Sequence, residues 1–161
     1  MGIRLDFRTP KLSRDYILIP EKKLVRFSIV QDTVNKADCY FSAKIFVKTK
    51  SYEGPAKDNG FLFNTELLDE FLMLFNEVVE EHELSLDVEE IGRTMSINDN
   101  DTLHIRISEY AGEYGFDMRV WTDTDKYTGW TLKGIRVPMI EMRNMLEFLE
   151  KLNEDALALG L

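Results

Sequence analysis

The chain has 161 residues, 44% hydrophobic and 30% charged, enough for one ordinary domain or two small ones with a real core. One cysteine, Cys39, excludes an internal disulfide framework and a CxxC metal site, and reads as a small half-buried residue in a reducing compartment. The net charge of −9 argues against a polyanionic ligand until its distribution is read: residues 1–60 carry 12 Lys/Arg against 7 Asp/Glu, and residues 61–161 carry 8 against 22.

At physiological salt the Debye length is ~8 Å, so a ligand feels the face it meets and little of the distant total. The opening "MGIRLDFRTPKLSRD" reads as a basic arm over residues 1–14. It lacks the apolar centre of a signal peptide, and Gly2 is not followed by the Ser/Thr expected for myristoylation. No apolar run is long enough to span a bilayer. An intracellular, soluble protein, cytoplasmic or nuclear and without a membrane partner, is expected.

A first unit is expected over residues 15–83. Its strands are "KLVRFSIVQ", "FSAKIFVKT" and a short third one at "GFLFN", with "SYEGPAKDNG" between the last two as a long hairpin loop. From Glu66 to about Glu83, Leu67, Leu68, Phe71, Leu72, Leu74, Phe75, Val78 and Val79 recur at helical spacing, with Asn64 or Thr65 placed to cap. Residues 84–100 are acidic and read as a linker or edge strand, with one short strand at Leu84–Ile91. A second unit follows over 101–161. "TLHIRISEY" and "FDMRVWTDT" are its strands, "GEYG" at Gly112–Gly115 a hairpin turn, and "TDTDKYTGW" a long loop. After "GIRV", Pro138 to about Asp155 places Met142, Met145, Leu146, Leu149 and Leu152 on one helical stripe. The order of elements therefore repeats, with a period of about 75 residues, the mark of a duplicated unit.

Alternation divides the faces. Ala43, Ile45, Val47, Leu103, Ile105, Ile107, Phe116, Met118 and Val120 should face the helices. That leaves Arg26, Lys44, Phe46, Lys48 and Lys50 outward in the first unit, and His104, Arg106, Ser108, Tyr110, Arg119 and Trp121 outward in the second. Cations interleaved with rings suit a single-stranded nucleic acid: the cations track phosphates, and the rings stack on bases for ~1–3 kcal/mol each. A solvated sheet face with guarding lysines is the bland alternative. Other chemistries are weaker. His82 and His104 have no ligand spacing, Asp99 and Asp101 lack the rest of a calcium loop, and no nucleophile has a base beside it. No enzyme, cofactor or metal site is expected.

The stretch "ISEYAGEYGFDMRVW", followed by "LKGIRV" and a helix, resembles the DNA-binding domain of the positive-cofactor-four family of transcriptional coactivators. Glu109 and Tyr110 match that family's acidic–aromatic pair, Gly112 its turn, Asp117, Met118, Arg119 and Trp121 its central strand, and Lys133, Gly134 and Ile135 its third motif. The resemblance covers about residues 102–153. It implies a four-stranded antiparallel sheet with one helix, dimerised into a curved surface for single-stranded DNA, with Arg106, Arg119, Trp121 and Lys133 as contacts. The first half is similar in layout, Lys44 and Phe46 standing where Arg119 and Trp121 stand. Whirly proteins and the PUR-repeat family, the latter in tandem copies, share this plan. The expectation is an α+β chain of two related units, each an antiparallel four-stranded sheet plus C-terminal helix, forming a pseudo-dimer. Its expected role is sequence-tolerant binding of single-stranded nucleic acid, DNA ahead of RNA, in transcription, replication or recombination, with a homodimer left open. The alternative is a protein-interaction or assembly module with the same fold and no nucleic-acid binding, meeting its partners through the acidic helical face.

Overall fold

The computed structural model describes residues 2–85 and 91–161, the side chains of 57–59 excepted. Among the described residues, eight strands and two helices follow in a doubled order: β1 (Leu12–Ile19), β2 (Lys23–Gln31), β3 (Cys39–Lys48), β4 (Glu53–Asn64) and α1 (Leu68–Leu84), then β5 (Gly92–Ser96), β6 (Asp101–Tyr110), β7 (Glu113–Asp123), β8 (Thr128–Val137) and α2 (Met142–Ala158). The fold is α+β, with two antiparallel four-stranded sheets ordered β1-β2-β3-β4 and β5-β6-β7-β8.

The two-residue alternation decides which face is inward. Val25, Phe27 and Ile29 on β2, Phe41, Ala43 and Ile45 on β3, and Leu103, Ile105, Ile107, Phe116, Met118 and Val120 on β6 and β7 are all buried; Val47, near the end of β3, is half-buried. Each helix opens through a 3₁₀ turn, Thr65–Leu67 or Met139–Glu141. Asn64 caps the first by accepting from the Glu66 N–H at 2.9 Å. The expected stripes meet the core: Leu68, Phe71, Leu72, Phe75, Val78 and Val79 on α1, and Met142, Met145, Leu146, Leu149 and Leu152 on α2.

Three local expectations change. The first strand of each sheet was not read from alternation. Leu12–Ile19 takes the end of the supposed arm, and the linker strand lies at Gly92–Ser96, because Leu84 ends α1; residues 86–90 of the expected Leu84–Ile91 strand lie outside the described residues. The turn near Gly112 is the pair Ala111–Gly112, both at positive φ, as a two-residue hairpin with right-handed twist requires.

The two expected long loops are short turns followed by bulged strands. In each turn a threonine amide donates to a tyrosine carbonyl three residues on, Thr49 to Tyr52 at 2.7 Å and Thr124 to Tyr127 at 2.9 Å. The tyrosine hydroxyl then donates to the Pro55 or Trp130 carbonyl at 2.7 Å. Gly54 and Gly129 sit at φ +157° and +152°, and a Cβ there would lie within 2.8 Å of the tyrosine hydroxyl oxygen. Past the turn, residues 56–59 of β4 bulge opposite Ile45, and Thr131–Lys133 of β8 bulge opposite Val120.

The units are intertwined. Phe148 of α2 packs on Tyr16 and Phe27 of the first sheet, with ring centroids 5.3 and 6.1 Å away; Phe75 of α1 packs on Phe116 of the second at 4.8 Å. Ion pairs repeat the exchange: Arg14 of β1 meets Asp155 of α2 at 3.7 Å, and Arg93 of β5 meets Glu81 of α1 at 2.9 Å. Arg143 bonds Glu83 near one end of the helix pair and Asn153 reaches Asp69 near the other, so the helices run antiparallel. β4 and β8 lie against each other, and the buried side chains form one continuous core.

Candidate nucleic-acid interface

Outward residues of β2 and β3 stand in register as Leu24 with Phe46, Arg26 with Lys44, and Ser28 with Ser42. The Arg26 guanidinium lies 4.2 Å from the Phe46 ring centroid and holds Asp15 through two bonds of 2.8 and 3.1 Å. Lys44 places its Nζ 4.1 Å from a ring that alternation did not assign to the site, Phe7. The N-terminal segment brings that ring in by running along β2. Leu5 bridges Asp32, the Asp6 amide donates to the Gln31 carbonyl at 3.0 Å, and the Lys11 amide to Ile29 at 2.8 Å. Between these ties the Asp6 carboxylate accepts from the Arg8 and Thr9 amides at 3.1 Å and from the Thr9 hydroxyl, and so turns the chain outward. These bonds, the hydroxyl's first, hold the Asp6 carboxyl below its ordinary range.

The result is a trough of about 610 Å³ walled by Phe7, Arg8, Arg26, Lys44 and Phe46, with buried Ser28 and Ser42 at its floor. A second trough of about 570 Å³ shares Arg26 and Phe46 and adds Lys22, Lys23 and Lys48. A depression of about 420 Å³ between β4 and β8 shares Lys44 with the first trough and reaches Lys133. A groove thus runs over the first sheet from the β1–β2 turn to the seam between the units. Lys48 is exposed at the end of β3; Lys50 is exposed in the following turn, off the sheet face.

The second sheet carries the same residue types in a different state. Arg119 pairs with Gly134 as Lys44 pairs with Gly60, and Trp121 with Trp130 as Phe46 with Pro55. Asp117, opposite Arg106, occupies the place of Ser42, opposite Ser28. It is 2% exposed and ion-paired to both Arg106 at 3.3 Å and Arg119 at 3.4 Å. The Arg106 guanidinium lies 4.0 Å from the Trp130 centroid, and its Nε–H is buried without a hydrogen-bond partner among the described residues. Trp121 meets Trp130 edge-on at 5.0 Å, and His104 meets Trp130 at 4.7 Å. Burial, then the Arg106 charge, pushes the His104 imidazole below its ordinary value. Arg119 also donates to the Thr131 carbonyl at 3.3 Å, while Lys133 is exposed on the β8 bulge. Tyr110, 75% exposed at the end of β6, stands apart from the Trp121–Trp130 cluster.

The structure thus brings Arg26, Lys44, Phe46 and Lys48 to one groove, and Arg106, Arg119 and Trp121 to one cluster. Lys133 joins the seam. Phe7, Trp130 and the buried Asp117 were missed. The doubled Thr-x-x-Tyr-x-Gly at 49–54 and 124–129 could have placed Trp130, by aligning it with Pro55.

No protein-family model and no curated protein matches this chain. Among the described residues, no group of three or more His, Cys, Asp or Glu is placed to hold a metal ion, and no helix is long and apolar enough to cross a membrane.

Proposed function

We propose that the chain is a non-enzymatic, sequence-tolerant single-stranded nucleic-acid-binding protein, taking DNA ahead of RNA, and that its strand lies across the outer sheet surface. The observation that carries this reading is the first-sheet trough, where two rings, Phe7 and Phe46, stand among Arg8, Arg26 and Lys44 over a floor of serine hydroxyls. Rings at a surface meet base faces, which an unpaired strand offers and a stacked duplex hides; the cations beside them meet the phosphates. The resemblance of residues 102–153 to the positive-cofactor-four and Whirly proteins supports the same reading, as does the doubled sheet-and-helix plan. The overall charge of −9 does not oppose it, because α1 alone carries Asp69, Glu70, Glu77, Glu80, Glu81 and Glu83 without a Lys or Arg, on the helical side of the molecule.

That acidic helix is also what favours the second reading, a module that meets a basic protein partner. Fluorescence anisotropy of labelled single- and double-stranded oligonucleotides across a salt series separates the two. Salt-sensitive binding that prefers the single strand is expected. Absence of binding at low salt overturns the nucleic-acid reading.

A further inference from the structure

We infer that the two outer faces have divided roles: the strand sits on the first sheet alone, and the second sheet is a closed copy in which the Asp117 carboxylate fills the phosphate position between Arg106 and Arg119. This rests on the nucleic-acid reading above and says which half of the molecule performs it.

The register makes the comparison residue for residue. Ser42 and Asp117 occupy equivalent places beneath the cations Lys44 and Arg119. On the first sheet that place holds a hydroxyl, as buried as Asp117 but without a charge to oppose a phosphate. On the second it holds a buried carboxylate, and both neighbouring guanidinium groups already point at it. A phosphate would have to draw those groups away and leave a carboxylate unpaired in a dry site, a larger penalty than a surface phosphate contact returns. It would also meet the Asp117 charge directly. A cation lies on a ring face in both sheets, Arg26 on Phe46 and Lys44 on Phe7 as Arg106 on Trp130, but only Trp130 also has rings against it, those of Trp121 and His104. Among the described residues the one carboxylate in the first trough, Asp15, is paired to Arg26 at the sheet edge with both side chains over a third exposed, so solvent weakens that pair and it exchanges readily with an incoming phosphate. Phe7 adds a stacking ring to the first face, and at 43% exposure that ring is accessible.

The resemblance read from sequence pointed to Arg106, Arg119, Trp121 and Lys133; the pairing of Asp117 to both of these arginines leaves the contact with Arg26, Lys44 and Phe46, which alternation had placed outward, and adds Phe7.

The test measures affinity and stoichiometry of a labelled oligothymidylate on the full chain, with a melting curve for every variant. Phe7→Ala and Lys44→Ala should each weaken binding by about tenfold, within the range for loss of one stacked base or one charged contact. Trp121→Ala should leave the folded protein's affinity within about twofold while lowering its melting temperature. Asp117→Asn, which keeps the shape and removes the charge, should open the second face and raise stoichiometry from one strand per chain toward two; Asp117→Ser, which copies Ser42, serves if the amide variant does not fold. If Trp121→Ala weakens binding as much as Phe7→Ala, the division of roles is wrong. Unchanged stoichiometry in a folded Asp117 variant overturns it too. A wild-type chain that binds no strand at all removes the reading beneath it, an outcome distinct from both.

Discussion

Phe75→Ala probes whether two sheets and two helices form one cooperative body. Phe75 is fully buried, and its ring touches Phe71 on its own helix at 5.9 Å and Phe116 on the other unit's sheet at 4.8 Å. Truncating a buried phenylalanine costs ~3–5 kcal/mol, which includes the lost edge contacts of aromatic neighbours. A single domain holds ~5–15 kcal/mol in all, so the variant should still fold. For a chain of this length each kcal/mol shifts the melting temperature by ~2–4 °C, which places the expected fall between about 6 and 20 °C. The assay uses two probes with different reach. Far-ultraviolet circular dichroism sees both units, whereas tryptophan fluorescence sees only Trp121 and Trp130, both on the second sheet. Although Phe75 belongs to the first unit's helix, both probes should fall together, because the helices are exchanged across the core. A fluorescence transition that stays at the wild-type temperature while the dichroism melts in two steps would falsify the single-core argument.

Changing both Lys44 and Lys48 to Ala should lower the log–log salt slope of binding by about 1.4, from ~0.7 per contacted phosphate, and an unchanged slope removes both lysines from the path. Gly134→Ala should destabilise by ~1–3 kcal/mol through overpacking, because a Cβ there would meet the Met118 carbonyl oxygen at 2.6 Å; a variant as stable as wild type in denaturant would show that β7 and β8 can part. The depressed His104 value means that the unfolded chain binds the proton more tightly, so this contribution is complete above the ordinary value of ~6.5 and is lost as pH falls through the folded one. His104→Gln should flatten the stability profile in that window, and an unaltered profile would assign the slope to other groups. Asp32→Ala removes the carboxylate that accepts from the Val34 amide at 2.9 Å and the Arg4 amide at 3.4 Å. It should weaken strand binding several-fold by loosening the segment that carries Phe7, at a site remote from the trough. Equal affinity with and without Asp32 would make that segment's tie irrelevant.

Much of this architecture was legible because burial imposes periodicity. β2, β3, β6 and β7 are central strands with one dry face, so their alternation is strict, and both helices show an unbroken apolar stripe. The edge strands were harder for the same reason. In β1, Arg14 stands on the inner side and reaches past the sheet edge to Asp155, while Ile17 is exposed, so the pattern of "LSRDYILI" is blurred. β5 has five residues and an inward Arg93 that pairs with α1. The bulges in β4 and β8 broke the beat and made strand look like loop. At the site, alternation found which side chains face outward and could not say which are engaged. Nothing local marks Asp117 as buried: it lies on the outer face, and pairing sets Arg106 of β6 and Arg136 of β8 on either side of it while Arg119, two residues on, bonds it.

Fusion of the two units in one chain is what allows Ser42 and Asp117 to differ. In a symmetric dimer of identical chains every position occurs twice, so a carboxylate that closes one face closes both, and a hydroxyl that opens one opens both. With the copies joined, the first sheet can keep a floor of hydroxyls under half-buried cations while the second uses the same register to lock two arginines and two tryptophans. The exchanged helices keep the halves from parting, so in the proposed division of roles the second sheet supports the geometry of the first. The closed face costs the burial of the Asp117 carboxylate and of the unpartnered Arg106 Nε–H, a cost lessened by the partial exposure that the two guanidinium side chains retain. On that proposal a chain whose charge totals −9 holds a polyanion in its first half, because residues 1–60 carry 12 Lys/Arg against 7 Asp/Glu while α1 carries six carboxylates and no Lys or Arg.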